Sequence, residues 1–304
     1  MHGRDKSQPR SGLPMALGAY LIWGILPLYL RQIHWIPPFE FIGWRIIWTL
    51  PLCLGAIAWR REFPVLLAAL RKPRNVALLS LSALLIALNW TVYVIAIQSG
   101  HVFAASLGYY ITPLANVLAG TMLLGERLTR RQWLAVAIAA AGVSLLAWDA
   151  REMLWISLTL AISFAGYGLV RKLVAVESLP GLTIESLLLL VPAALTVWYF
   201  GQGPDGSAML RGPAEALWIM AGGLLTAAPL LLFAAAARRM DYSSLGMVQY
   251  LGPTIVFLLG VFVFGEPLRA VQLACFVLIW CAIALFVWDL LAQRRARLVA
   301  QAPA

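Results

Sequence analysis

Three charged side chains stand within long apolar stretches of this chain: Glu40, Arg45 and Glu185. A charge in lipid is costly, so each is a candidate for binding a substrate, an ion or a proton. Arg45 and Glu185 are 140 residues apart. Their predicted positions near opposite membrane faces indicate gating roles at those faces, and Glu185 is also a candidate for proton coupling. A second interpretation is that Glu40 and Glu185 are first-turn acids, which the helix dipole favours.

Two prolines, Pro113 and Pro253, lie midway along apolar segments and are also 140 residues apart. A mid-helix proline cannot donate to the carbonyl four residues earlier, and in lipid that carbonyl should face protein, water or substrate. The polar and aromatic residues around these bends are therefore candidates for lining a cavity: Tyr109, Tyr110, Asn116, Gln249 and Tyr250. Each of them could instead form a hydrogen bond between helices.

The third apolar segment carries a neighbouring amide and indole, Asn89 and Trp90. Trp90 could stack on a planar substrate, and an amide in lipid needs a partner. The alternative is that Asn89 joins two helices. We take both as candidate cavity residues.

The elements that must position these residues are membrane-spanning helices. The chain is 62% hydrophobic and 12% charged, with a mean hydropathy of +0.84, and a span needs about 20 apolar residues. Ten spans are predicted, at about residues 13–31, 39–59, 75–97, 102–124, 132–148, 153–170, 183–200, 215–236, 243–264 and 272–290. The predicted fold class is an all-α integral membrane protein.

An internal repeat divides the chain into two halves. Residues 110–149 resemble residues 250–289 in pattern, including Gly125-Glu126 and Gly265-Glu266. Each half holds five spans, an odd number, so the second half should be inverted with respect to the first. The predicted organisation is a tail (1–12), two inverted five-helix repeats (13–148 and 153–290) and a second tail (291–304). Such folds place a substrate site near the membrane midplane and work by alternating access.

The distribution of positive charge predicts the orientation. Eighteen of the 23 Lys and Arg residues fall in the tails and even-numbered loops, four fall in odd-numbered loops, and Arg45 alone lies within a span. By the positive-inside rule, both termini are cytoplasmic in an inner (plasma) membrane. The net charge of +10 then faces membrane lipid rather than nucleic acid.

Several stretches resemble EamA-type permeases of the drug/metabolite transporter superfamily, and most closely the RarD-like, chloramphenicol-sensitivity group. They are Ala19-Tyr20-Leu21-Ile22-Trp23-Gly24, Arg45-Ile46-Ile47-Trp48, Asn89-Trp90, Ala105-Ser106-Leu107-Gly108-Tyr109, Gly166-Tyr167-Gly168-Leu169-Val170-Arg171-Lys172 and Gln249-Tyr250-Leu251-Gly252-Pro253-Thr254. The resemblance implies ten helices, a central cavity and transport without ATP. We include Tyr167 among the cavity candidates. The nearest plausible cations to Glu185 are Arg171 and Lys172, and we include Arg171 among the gating and coupling candidates.

The expected function is export of a small amphipathic metabolite or drug, with or without proton coupling. The sequence has no Gly-x-x-x-x-Gly-Lys phosphate loop, and no cofactor, metal or catalytic residue is implied. The alternatives are a lipid flippase and an intramembrane enzyme acting on a lipid-like substrate. Ala137, Ala141 and Gly142 suggest a close helix contact, which could join two subunits in a homodimer. Thr129 and Gln132 predict a capping box that opens the fifth span.

Overall fold

A computed structural model describes residues 11–149, 151–204, 206–265 and 267–301, and every regular element in these ranges is helical. Ten segments are long and apolar enough to span a membrane, which confirms the predicted fold class. The helices are α1 (Leu13–Gln32), α2 (Pro38–Arg60), α3 (Phe63–Leu70), α4 (Pro73–Gln98), α5 (Val102–Met122), α6 (Arg130–Asp149), α7 (Leu154–Leu173), α8 (Ser178–Gly201), α9 (Pro213–Ala237), α10 (Tyr242–Gln249), α11 (Leu251–Phe262) and α12 (Ala270–Gln301). The inversion of the two halves stays a prediction.

Four features differ from the predicted elements, and the fourth, in the seventh span, is described in the next paragraph. The loop after the second span contains a short helix, α3, which packs on α4 and α8. The ninth span is divided at Tyr250 into α10 and α11, because Pro253 cannot complete the helical hydrogen bonds at that point. The last helix continues beyond the predicted end at residue 290 and reaches Gln301.

The seventh span begins earlier than predicted, at Ser178 rather than at residue 183. The Pro180-Gly181 pair has the character of a turn, but a proline is tolerated in the first turn of a helix. The correction moves Glu185 out of the first turn, where the structure has no acidic residue. The first-turn interpretation of Glu185 is therefore wrong, whereas Glu40 does lie in the first turn of α2.

Hydrogen bonds near the helix ends identify the two ends of the helix bundle. At one end, which we call the basic face, Lys172 donates hydrogen bonds to the carbonyls of Ala237 and Met240. At the other end, which we call the opposite face, Arg211 donates to the carbonyl of Trp35. These contacts join even-numbered loops to each other and odd-numbered loops to each other, as alternating spans require. Which face is cytoplasmic stays a prediction.

Two local predictions about the fifth span can be compared with α6. The capping box is confirmed, because the Thr129 amide donates to Gln132 Oε1 and the Gln132 amide donates to Thr129 Oγ1, at 3.0 and 3.1 Å. Gly142 packs against Cys275 and Leu278 of α12. A close helix contact therefore forms within the chain at this glycine, and the homodimer stays a prediction.

Glu40 fixes the loop before α9 to α2 at the opposite face. Its Oε1 atom accepts hydrogen bonds from Trp44 Nε1, Ser207 Oγ and the Ala208 amide, at 3.1, 3.0 and 2.8 Å. The residue is buried, so loss of this acceptor leaves a buried amide without a partner. This is a structural role, in agreement with the interpretation of Glu40 as a first-turn acid.

We expect Glu40→Leu to lower the free energy of unfolding by about 2 kcal/mol, the usual cost of an unsatisfied buried donor. Hydrogen exchange at the Ala208 amide should become faster. The control is Glu152→Leu, which removes an exposed acid and should leave both quantities unchanged. Unchanged exchange at Ala208 in the Glu40 variant would contradict this role.

Candidate functional site

A narrow cleft, the central cleft, lies between α2, α4, α8 and α9. Its lining is mostly apolar, with hydroxyl groups, one indole and one carboxylate: Ile46, Thr49, Ile86, Trp90, Leu182, Glu185, Ser186, Leu189, Thr226 and Leu230. The free volume is about 10 Å³, which is room for about one water molecule. A substrate therefore fits only if the helices of the two halves move apart.

Toward the basic face, Glu185 forms a buried ion pair. Arg171 Nη1 lies 3.4 Å from Glu185 Oε1, and both side chains are buried. Arg171 also donates to the Ser178 carbonyl, Ser82 donates to Glu185 at 2.5 Å, and Tyr167 lies near the carboxylate. The sequence placed Arg171 in a loop. It instead lies in the last turn of α7 and is fully buried.

Gly181 makes room for this ion pair. A Cβ atom at that position would overlap the guanidinium group of Arg171, so a residue with a side chain would displace Arg171 from its position beside Glu185. The Pro180-Gly181 pair therefore belongs to the packing around the ion pair and not to a turn between spans.

Arg45 lies beside Trp90, one of the residues that line the cleft. Its guanidinium carbon lies 3.9 Å from the centroid of the Trp90 ring, and Tyr93 and Tyr109 pack edge to face beside it with ring centroids 5.8 Å apart. Among the described residues, Arg45 has no ion-pair partner. Arg45 contacts Trp90 of α4, and Glu185 accepts a hydrogen bond from Ser82 of the same helix. Ser82 and Trp90 are eight residues apart, which is about 12 Å along a helix.

Asn89 is turned away from the central cleft. Its amide nitrogen donates to the Leu160 carbonyl at 2.8 Å and to Ser163 Oγ at 3.0 Å, both on α7. Consecutive residues of a helix point about 100° apart, so Asn89 and Trp90 cannot face the same neighbour. The structure brings Trp90 to the cleft and places Asn89 in a contact between helices.

The two proline bends meet where α5 crosses α10. Asn116 Nδ2 donates to Gln249 Oε1 at 2.7 Å, and Gly246 packs against the Pro113 carbonyl. The helix α5 remains continuous at Pro113, whereas Pro253 follows the division at Tyr250. The bends thus form a polar crossing between the halves, and these residues do not line the central cleft.

Tyr110 and Tyr250 belong to a separate apolar cluster with α6 and α12. The Tyr110 ring packs edge to face on Phe276, with centroids 5.5 Å apart, and Tyr250 is fully buried. Adjacent Tyr109 lies instead on the Arg45 side, and is 37% exposed. The five residues predicted to line a cavity around the bends therefore lie in three separate places: the Arg45 side, the crossing of α5 and α10, and this apolar cluster.

Glu126 forms a contact that the sequence did not reveal. Its carboxylate accepts hydrogen bonds from the amides of Tyr242 and Ser243 and from Ser243 Oγ, at 2.6, 2.8 and 2.7 Å. Negative charge is favourable at a helix N-terminus, so the loop after α5 holds the start of α10. The repeat predicts an equivalent for Glu266, which lies outside the described residues.

No pattern in the sequence indicated the hydrogen bond from Ser82 to Glu185.

Arg238 adds a further contact at the basic face. It donates a hydrogen bond from Nη1 to the Val176 carbonyl. Burial lowers the pKa of this guanidinium, and the positive charge of Arg171 lowers it further. The ends of α7, α8 and α9 at the basic face, which all belong to the second half, are therefore joined by hydrogen bonds.

The chain belongs to the EamA-like transporter family, because the model of that family matches residues 10–148 and again residues 151–288. It is a multi-pass membrane protein and a transporter of the drug/metabolite class. A solved crystal structure of a protein that is 22% identical matches with a TM-score of 0.70, covering 91% of this chain and 98% of that one. This likeness shows the shared fold.

Relatives place the chain in the RarD-like group of the family. An uncharacterized transporter of Pseudomonas aeruginosa is 43% identical, over 92% of this chain and 94% of the relative. Protein RarD of Escherichia coli is 40% identical, over 96% and 98%. Chloramphenicol-sensitive protein RarD of Pseudomonas aeruginosa is 32% identical, over 91% and 94%.

Proposed function

We propose that this protein is a secondary transporter that exports a small amphipathic metabolite or drug across the inner membrane by alternating access. The substrate binds in the central cleft after the helices move apart, with Trp90 and Tyr109 at one end and Glu185 at the other. The two halves, residues 13–148 and 153–290, rock against each other. The crossing of α5 and α10, with Asn116 and Gln249, is the pivot.

The observation that carries this proposal is the position of Glu185. Its carboxylate joins Ser82 of the first half to Arg171 of the second half. The hydrogen bond from Ser82 crosses between the halves and must change if they separate at the basic face, whereas the ion pair with Arg171 lies within the second half. Glu185 is also one of the residues that line the central cleft.

Proton coupling follows from the same contacts. A proton on Glu185 would remove the negative charge that holds Arg171, and it would turn one carboxylate oxygen from an acceptor into a donor. The hydrogen bond from Ser82, which joins the two halves, would weaken, so the basic face would open when Glu185 is protonated. Proton release to the cytoplasmic side would restore the ion pair and close it again. This cycle exchanges an entering proton for a leaving substrate.

The test is transport by the purified protein in liposomes that enclose a pH-sensitive dye. The solutes added are radiolabelled chloramphenicol, aromatic amino acids and aromatic carboxylates. For a transported solute, we expect a pH gradient to accelerate its movement and the solute to drive proton flux. Glu185→Gln should abolish acceleration by the gradient but retain exchange of labelled for unlabelled solute.

The Glu152→Gln variant is the matched control, because it removes an exposed acid that lies away from the cleft. A rate that responds equally to the gradient in wild type and Glu185→Gln would remove the coupling role and leave facilitated transport. In the same liposomes, fluorescent phospholipid and its loss to an external quencher test the flippase alternative. Lipid movement without solute movement would contradict the proposed function.

A further inference from the structure

Arg45 is a cation within a span, and among the residues that the structure describes no acid pairs with it. It lies seven residues after Pro38 at the start of α2, so it is about 10 Å from the opposite face. The nearby span acids are engaged elsewhere, because Glu40 binds Ser207 and Ala208 and Glu185 pairs with Arg171. The Nε atom of Arg45 is buried and has no hydrogen-bond partner in the described part of the chain.

Aromatic rings surround this guanidinium. Trp90 stacks against its face at 3.9 Å, and Tyr29, Tyr93 and Tyr109 lie near enough to interact with its charge. Stacking on the flat face stabilises the cation but leaves the N–H groups at its edge, because these donors lie in the guanidinium plane. The site thus supplies planar donors beside an apolar, aromatic surface.

We infer that Arg45 binds the carboxylate or phosphate group of an amphipathic organic anion, whose apolar part lies against Trp90 and Tyr109. Two parallel N–H groups of a guanidinium match two oxygens of such a group. An anion would also neutralise the charge of Arg45. The site should therefore bind an anion more tightly than a neutral molecule of the same shape. This inference names the substrate class of the proposed transporter, and so rests on the proposed function.

The experiment compares matched anions and neutral molecules on purified protein in detergent and in liposomes. The pairs are phenylpropionate with phenylpropionamide, naphthylacetate with naphthylacetamide, and phenyl phosphate with phenol, and chloramphenicol is a further neutral probe. The variants are Arg45→Gln, Arg45→Lys and the control Arg31→Gln. Arg31 is an exposed cation at the same end of the bundle, beside Phe264 and not in the cleft.

We expect at least one anion to raise the thermal unfolding midpoint of the protein and to be transported. The paired neutral molecule should do neither. Arg45→Gln should weaken anion binding by about 100-fold, as expected when one partner of a buried charge pair is lost. Arg31→Gln should behave as wild type. Arg45→Lys keeps the charge but loses the two-point contact, so its anion affinity should fall by about 10-fold.

Transport of neutral probes at equal rates by wild type and Arg45→Gln, with no anion bound, would overturn the inference and leave the transporter proposal intact. If Arg45→Gln does not fold, unchanged anion affinity in Arg45→Lys overturns it equally. Absence of solute movement in wild type would overturn the proposed function itself.

A lipid is the second source of the same anionic group. Fluorescent phosphatidylglycerol in the liposomes separates it from a soluble metabolite. We expect its movement to be the same in wild type and Arg45→Gln. Movement that depends on Arg45 would keep the anion site and assign its ligand to a lipid headgroup.

Discussion

Replacement of Arg171 by Met should destabilise the protein by about 3–5 kcal/mol, because removal of one partner from a buried ion pair leaves the other charge uncompensated. Glu185 would then remain buried with Ser82 and Tyr167 as its polar neighbours. The measurement is the free energy of unfolding in mixed micelles. A loss below about 1 kcal/mol, as found for ordinary surface pairs, would contradict the importance of this pair.

A second substitution separates charge from packing. Because the double variant Arg171→Met/Glu185→Met buries no unpaired charge, it should be more stable than Arg171→Met alone. The control is Arg60→Met, since Arg60 also pairs with an acid, Glu62 at 3.8 Å, but the two side chains are 57% and 22% exposed. We expect that control to change stability by less than about 1 kcal/mol.

Gly246→Ala should lower stability by about 1–3 kcal/mol through overpacking of the crossing between α5 and α10. A Cβ atom there would lie 2.7 Å from the Pro113 carbonyl oxygen and 2.9 Å from Asn116 Cβ. The first of these atoms belongs to the backbone, which cannot rotate away as a side chain can. The helices must therefore separate, and the hydrogen bond between Asn116 and Gln249 should lengthen.

Gly252→Ala is the matched control in the same span. The nearest atom to its Cβ would be the Tyr20 carbonyl oxygen at 3.8 Å, an ordinary contact distance. Alanine is also the better helix former, so this variant should be neutral or more stable by up to about 1 kcal/mol. Equal effects of the two substitutions on unfolding in mixed micelles would show that the crossing is not tightly packed.

The sequence by itself determined the ten spans, because lipid requires a long apolar run for each of them and every backbone group must be satisfied within the helix. It also identified Arg45, Glu185 and the two prolines, since such residues are costly or disruptive in an apolar helix. The capping box at Thr129 could also be predicted, because its hydrogen bonds join residues that are close together in the sequence.

Only the tertiary structure decided which residues face each other. Trp90 and Tyr109 reach the Arg45 site, whereas their neighbours Asn89 and Tyr110 face other helices. Helices that are apolar on every side carry little amphipathic signal to orient them, and adjacent residues point about 100° apart. The sequence indicated Arg171 or Lys172 as the cation nearest to Glu185, and only the packing of α7 on α8 past Gly181 decided for Arg171.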